Sequence, residues 1–261
     1  MKTKLSRRAL LAAGCGVVAS SRLIAAEPNS VAVKPAGETV AGKAVDMFEA
    51  MKDGRVEVRM VPKDVEGGRV LFTNKTDQPL TLKLPDAFAG VHVLAQAGSA
   101  GGIGQGAGGA FGGGGGMGGG GGGGGGLGGG GGGGMFNVAP EKVAYLPYVG
   151  ICLEHGKPDP RPAMKYELRP VEAVSSHPAV REVLVMLGQN RCARRVAQVV
   201  AWHVNSEMSW EELANKHIKR LDGSTQPYFT AEELAAARRL DAHVTQELAA
   251  RKEAAAAVPK L

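Results

Sequence analysis

Ile151-Cys152-Leu153-Glu154-His155-Gly156-Lys157-Pro158-Asp159-Pro160 divides this 261-residue chain. Ile151 to Leu153 read as the end of a strand, and Gly156, Pro158 and Pro160 turn the rest of the stretch into a loop. Upstream the sequence is β-patterned around a large glycine insertion. Downstream there is one more strand, and then the apolar spacing changes to that of helices.

Upstream, Val56, Val58 and Met60 alternate with Glu57 and Arg59, the period of two that puts one face of a strand against a core. Arg69 to Asn74 form a second strand, reached through a Gly67-Gly68 turn. Asn74-Lys75-Thr76-Asp77-Gln78-Pro79 is a turn rich in hydrogen-bonding side chains, and Leu80, Leu82 and Leu84 then alternate with Thr81 and Lys83. Val91 to Leu94 make a fourth strand. Patterning resumes at Val138 and continues through Lys142–Leu146, Val149–Glu154 and Met164–Val171. About seven short strands over residues 55–174, leaving out the glycine insertion, predict an immunoglobulin-like antiparallel β-sandwich within a domain spanning 42–174. A short helix over Ala44–Lys52 precedes them.

Glycine fills 28 of the 38 positions from 97 to 134. Glycine loses the most backbone entropy on ordering and has no side chain to bury, so this insertion is expected to be disordered. It lacks the fixed positions of a phosphate-binding loop and the period of collagen. A loop insertion of this kind costs little, because closure entropy grows slowly with length.

Residues 175–256 are expected to form a helical subdomain, and 257–261 a tail. His177-Pro178 opens the first helix, and Gly188 closes it. A second helix spans Arg191–Val204. Ser209 with Glu212, and Thr230 with Glu233, are capping boxes for a helix over Trp210–Ile218 and a long final one. Leu221-Asp222-Gly223-Ser224 is a turn between them.

The net charge of +6 invites a nucleic-acid reading, but five of the basic residues (Lys2, Lys4, Arg7, Arg8, Arg22) precede residue 27. What remains is 26 basic residues against 25 acidic ones, without the clustering a phosphate backbone requires. No nucleic-acid partner is expected. Residues 1–26 read as an export signal, with a basic start, the short apolar run Ala9–Val18 and a small-residue exit at Ala25-Ala26. The run is too short to span a bilayer. Ser6-Arg7-Arg8 resembles a twin-arginine signal, and Ala12-Ala13-Gly14-Cys15 a lipoprotein box, so a lipid anchor at Cys15 is one expectation and cleavage of Cys15 with the signal the other. Residues 27–41 form a flexible leader. The mature chain is expected in the periplasm, in the cell envelope or outside the cell.

No catalytic constellation appears, and neither a cofactor nor a metal is expected. His155 and Asp159 read as turn residues. The chemically informative residue is Cys152. Val149, Ile151 and Leu153 share one strand face, and Gly150, Cys152 and Glu154 the other. With the apolar set facing the interior, Cys152 points outward, under the helical segment. Three fates compete for its thiol: a disulfide with Cys192, favoured outside the cytoplasm; an inert buried thiol; and a third, implied by a resemblance.

Ala197-Gln198-Val199-Val200-Ala201-Trp202 and Ile151-Cys152-Leu153 resemble the glutamine and cysteine motifs of bacterial surface thioester domains, in which a β-subdomain carries the cysteine and a helical one the glutamine. Ile151 departs from the aromatic residue or Leu usual before that cysteine. The resemblance implies a Cys152–Gln198 thioester that acylates amines on a partner surface. Trp202, one turn past Gln198, would shield the bond, and Arg194 and Arg195 would stabilise the thiolate. Cys192 and Gln198 lie on different parts of their segment, so Cys152 is expected to face one of them. Asn74–Thr81, Cys152–Pro160 and Ser209-Trp210-Glu211-Glu212-Leu213 are similar to stretches of secreted, glycine-tract-bearing hypothetical proteins of planctomycete-type bacteria, which implies an envelope or extracellular place and no activity. The expected function is an exported, non-enzymatic envelope or adhesion module acting on a protein or envelope surface. The alternative is a purely structural or protein-binding envelope protein with an inert or disulfide-bonded Cys152.

Overall fold

A ten-residue strand ending at Cys152 is paired along both of its edges, and this pairing decides the architecture. The computed structural model describes residues 43–93, 106–111 and 134–257; the export signal, the lipid-anchor site at Cys15 and the leader lie outside these. The described residues belong to one unit, Val40–Leu261. In chain order its elements are β1 (Val45–Asp46), α1 (Met47–Lys52), β2 (Val56–Asp64), β3 (Gly67–Asn74), β4 (Leu80–Lys83), β5 (Phe88–His92), β6 (Gly106–Phe111), β7 (Met135–Val138), β8 (Val143–Cys152) and β9 (Tyr166–Arg169). Then come α2 (Pro178–Gly188), α3 (Arg194–Asn205), α4 (Trp210–Ala214), β10 (His217–Lys219), β11 (Thr225–Pro227) and α5 (Ala231–Ala256).

The fold is a closed six-stranded antiparallel barrel, in the order β2-β3-β8-β6-β5-β9, and not the immunoglobulin-like sandwich that the alternation suggested. Alternation is identical in a sandwich and a barrel, because both bury every second side chain. What separates them is nonlocal pairing. β8 pairs with β3 along Val143–Val149 and with β6 along Tyr148–Cys152. β9 closes the ring by pairing with β5 and, at Tyr166↔Met60, with β2. Closure gives each barrel strand a neighbour on both sides. A smaller three-stranded sheet, β1-β4-β7, lies beside it. The buried Asn74 joins the two, donating to Gln78 O at 2.8 Å and Val138 O at 3.0 Å.

The glycine segment needs a second correction. Gly106-Ala107-Gly108-Gly109-Ala110-Phe111 are a barrel strand and not part of a disordered insertion; residues 97–105 and 112–133 lie outside the described ones. The glycines here are required by packing. A Cβ on Gly108 would come within 2.8 Å of Leu153 and 2.9 Å of Leu184 on α2, and one on Gly109 within 2.7 Å of the Phe88 ring. Bare backbone lets α2 lie directly on one face of β6 and the Phe88 and Tyr148 rings fill the other.

Two apolar clusters result. Met60, Val70, Phe72, Phe88, Tyr148, Tyr166 and Leu168 belong to the core that includes the barrel interior. Ile151 and Leu153 belong to the other, beneath α2, α3 and α5. Val149, Ile151 and Leu153 pack under the helices rather than into a sheet interior, and Cys152, cross-strand from the barrel-core residue Ala107, is buried in the same helix-side cluster. The helices form the second wall, so the more apolar face belongs to them.

Both capping boxes form as their spacing predicted, Ser209–Glu212 at α4 and Thr230–Glu233 at α5. α4 is shorter than expected, and His217–Lys219 instead pairs with Thr225–Pro227 as an exposed hairpin whose tip includes Leu221. Among the described residues no helix is long and apolar enough to cross a membrane.

Candidate functional site

Cys152 ends β8 where its neighbour β3 has run out. Along an antiparallel strand, successive N–H groups point to opposite sides. Leu153 N–H donates to Gly106 O on the β6 side at 2.9 Å, and Gly150 N–H to Glu66 O, just before β3, at 2.8 Å. Cys152 follows Gly150's direction and meets no further β3 residue. The carboxamide of Gln198 takes that place: Cys152 N–H donates to its Oε1 at 2.9 Å, and its Nε2 donates to Cys152 O at 2.7 Å. Both residues are 4% exposed, so each bond satisfies groups that water does not reach.

α3 delivers Gln198 through its burial pattern. Val196, Ala197, Val199, Val200 and Ala201 are buried around Gln198, so the amide is carried into the core by its own helix face. Farther along α3, Asn205 Nδ2 donates to Leu153 O at 2.8 Å and Ser206 Oγ accepts from His155 N–H at 3.0 Å. Side chains of α3 and its C-cap thus take over from β3 as the partner of the chain from Cys152 to His155. Asn205 and Ser206 carry no sequence signal for this role, because polar residues at a helix end look the same when they face solvent.

A cleft of about 260 Å³ opens beside this junction. Cys152, Gln198, Arg194, Arg195 and Trp202 all line it, together with His155 and Asp159. Lys216, Tyr228 and Phe229 complete it from across the α4 region and the hairpin. Those three have no local motif; only the tertiary fold brings them here. Trp202 packs against His155, Tyr228 and Phe229, with ring centres 4.9, 5.5 and 5.7 Å away. Its Nε1 is buried and lacks a hydrogen-bond partner.

The charges are arranged mainly in pairs. Arg194 meets Glu66 at 2.7 Å, and Lys157 meets Glu154 at 2.7 Å. Arg195 is bound to Glu233 and to Tyr228 O, and lies over the Tyr228 and Phe229 rings. Lys216 Nζ is 2.7 Å from His155 Nε2, and lies over Trp202 and Tyr228. Burial, with a contribution from Lys216, holds the His155 pKa below its ordinary value despite the opposing pull of Glu212. Both effects bias the imidazole toward its neutral form, whose Nε2 is then able to accept from Lys216 Nζ.

Burial pushes the Cys152 thiol up to about 12, Asp159 raises it further, and Arg194 opposes both. Arg194 thus acts in the direction expected for a thiolate stabiliser, but desolvation outweighs it, and Arg195 is engaged with Glu233. Neither Cys152 nor Cys192 is in a disulfide. Cys192 directs its Sγ toward Val183 O at 4.0 Å, and burial raises its thiol to about 11. Of the two residues that Cys152 was expected to face, its backbone is bonded to Gln198. Among the described residues no group of three or more His, Cys, Asp or Glu side chains is placed to hold a metal ion.

No protein-family model, curated protein or solved structure matches this chain.

Proposed function

We propose that the chain works, after export, as a non-enzymatic envelope or adhesion module in which Cys152 and Gln198 close into an internal thioester that acylates an amine on a partner surface. The observation that supports this is the two-point clamp on the Gln198 carboxamide by the backbone of Cys152 itself. The clamp holds the electrophilic carbon beside the residue that carries the nucleophile, which removes the entropic cost of bringing them together. Cys152 N–H, already on Oε1, also remains in place for the negative charge that builds on that oxygen during attack.

The chemistry is a substitution at carbon. The Cys152 Sγ–Gln198 Cδ bond forms, the Cδ–Nε2 bond breaks, and the thiol proton leaves with the nitrogen as ammonia. A thiol at about 12 is almost wholly protonated at neutral pH, so closure is a slow maturation step that needs a proton acceptor. The neutral imidazole of His155 is in the same cleft.

A second reading has its own observation. The same clamp, with the thiol held protonated, is what a structural glutamine finishing a barrel strand requires. The protein is then a structural or protein-binding envelope protein with an unreacted Cys152. Intact mass of the exported, purified chain separates the two. The thioester reading expects a mass lower by one ammonia, restored to the full value in Cys152→Ala, and gain of one methylamine when freshly folded protein is incubated with that amine. A full-length mass with no ammonia lost, in protein whose Cys152 is alkylated once unfolded, leaves only the structural reading.

A further inference from the structure

Lys216 carries an amine into the cleft where the acyl group would form. Its Nζ is 2.7 Å from His155 Nε2, three residues beyond Cys152, and 5.4 Å from the ring centre of Trp202. Trp202 lies one helical turn past Gln198, the spacing that puts two side chains on one helix face. Lys216, His155, Cys152 and Gln198 all line the one cleft. The residue sits at the base of the β10–β11 hairpin, its carbonyl accepting from Tyr228 N–H at 2.7 Å.

We propose that Lys216 is the internal acceptor of the acyl group, so that an unused Cys152–Gln198 thioester ages into a Gln198–Lys216 isopeptide cross-link. The inference rests on the thioester reading. In the transfer, the Lys216 ammonium first loses one proton to solvent, and the resulting amine attacks Gln198 Cδ while its second proton passes to His155 Nε2. The Nζ–Cδ bond forms, the Cδ–Sγ bond breaks, and the thiolate takes a proton back from the imidazolium. The net result of both steps is loss of one ammonia, with the Cys152 thiol regenerated.

The surroundings favour Lys216 over Lys157, the other lysine in the cleft. Lys157 Nζ is tied to the Glu154 carboxylate at 2.7 Å, so it must break that ion pair before it can reach Gln198. Lys216 instead meets an imidazole, whose Nε2 can remove a proton. Lys216 Nζ also lies over the Trp202 and Tyr228 rings, and the transfer gives up these cation–π contacts, which slows it. Aging is therefore expected during storage rather than during folding, which leaves time for a partner amine to compete.

The test is a storage time course on the exported full chain and on Lys216→Arg, which keeps the charge over the two rings but cannot be acylated. Each sample is read for intact mass, methylamine uptake, alkylation of Cys152 after unfolding, and cross-linked peptides. The expected result is that wild-type protein stays low by one ammonia while methylamine uptake falls several-fold, Cys152 becomes alkylatable and a Gln198–Lys216 peptide appears. Lys216→Arg keeps its uptake. Equal and lasting uptake in both proteins, or a cross-link at Lys157, overturns the inference and leaves the thioester standing. A mass that never falls by one ammonia overturns both together.

Discussion

The carboxamide of Gln198 stands in for a strand peptide beside Cys152, bonded to both its N–H and its C=O. One side chain on α3 thereby continues the ladder that β3 leaves unfinished, and the helices become part of the barrel's hydrogen bonding rather than a layer laid on it. This contact makes the Cys152 end of β8 the point where fold stability and candidate chemistry coincide.

Gln198→Ala removes both partners of a buried backbone pair. Leaving one buried donor and one buried acceptor unsatisfied is expected to cost about 2–4 kcal/mol in urea unfolding. Gln198→Glu gives a sharper readout. Its protonated form can still donate to Cys152 O, whereas its carboxylate faces that carbonyl with no proton. The folded-state pKa is then raised above the unfolded value, so the stability is present at low pH and lost as pH rises through the folded value. A pH-independent loss in Gln198→Glu would argue against the bidentate contact.

Gly108→Ala places a methyl within 3 Å of Leu153 and Leu184. Both contacts are to side chains, but both side chains are fully buried and have little room to move. Overpacking of this kind is expected to cost about 1–3 kcal/mol, measured as a shift in the urea midpoint at unchanged slope. A neutral result would mean that α2 can lift off β6.

The Cys192 thiol, raised from its usual 9.0 to about 11 by burial, should react slowly with iodoacetamide in the native protein. Its rate should climb about tenfold per pH unit up to that value. Because the folded value is the higher one, the associated stability is full below pH 9.0 and lost as pH rises toward 11. Cys192→Ala should flatten this alkaline loss.

Glu233 caps α5 and holds Arg195. Burial alone would raise its carboxyl, but bonds from Arg195 and Thr230 outweigh that and hold it below its ordinary 4.5. A depressed folded value means stability that is present above pH 4.5 and lost as pH falls below it. Arg195→Met should cost about 1 kcal/mol at neutral pH and flatten acid unfolding, read by circular dichroism across the acid range.

Local order was legible in the residues themselves. His177-Pro178 and the Ser209–Glu212 and Thr230–Glu233 pairs mark helix starts, because capping depends on groups within one turn. Alternation through Val56–Met60 and Met164–Arg169 marks strands, because one face of each is buried. The pairing of Cys152 with Gln198 was named from a motif resemblance, and 46 positions separate the two residues. That their contact runs through the Cys152 backbone depends on where β3 stops, which no local pattern encodes.

The sequence by itself marked the turn from β-patterned to helical segments and the helix caps, and it named Gln198 and Cys192 as the two residues Cys152 could face. Tertiary structure decided that the strands close into a barrel, because closure is a matter of which edges pair and alternation is blind to it. It also decided that Gly106–Phe111 is a core strand, since glycine without side chains looks unstructured until Leu153, Leu184 and Phe88 fill the space its missing Cβ atoms leave. And it placed Lys216 and His155 together beside Gln198, a contact made across 61 residues by the packing of helices on the barrel.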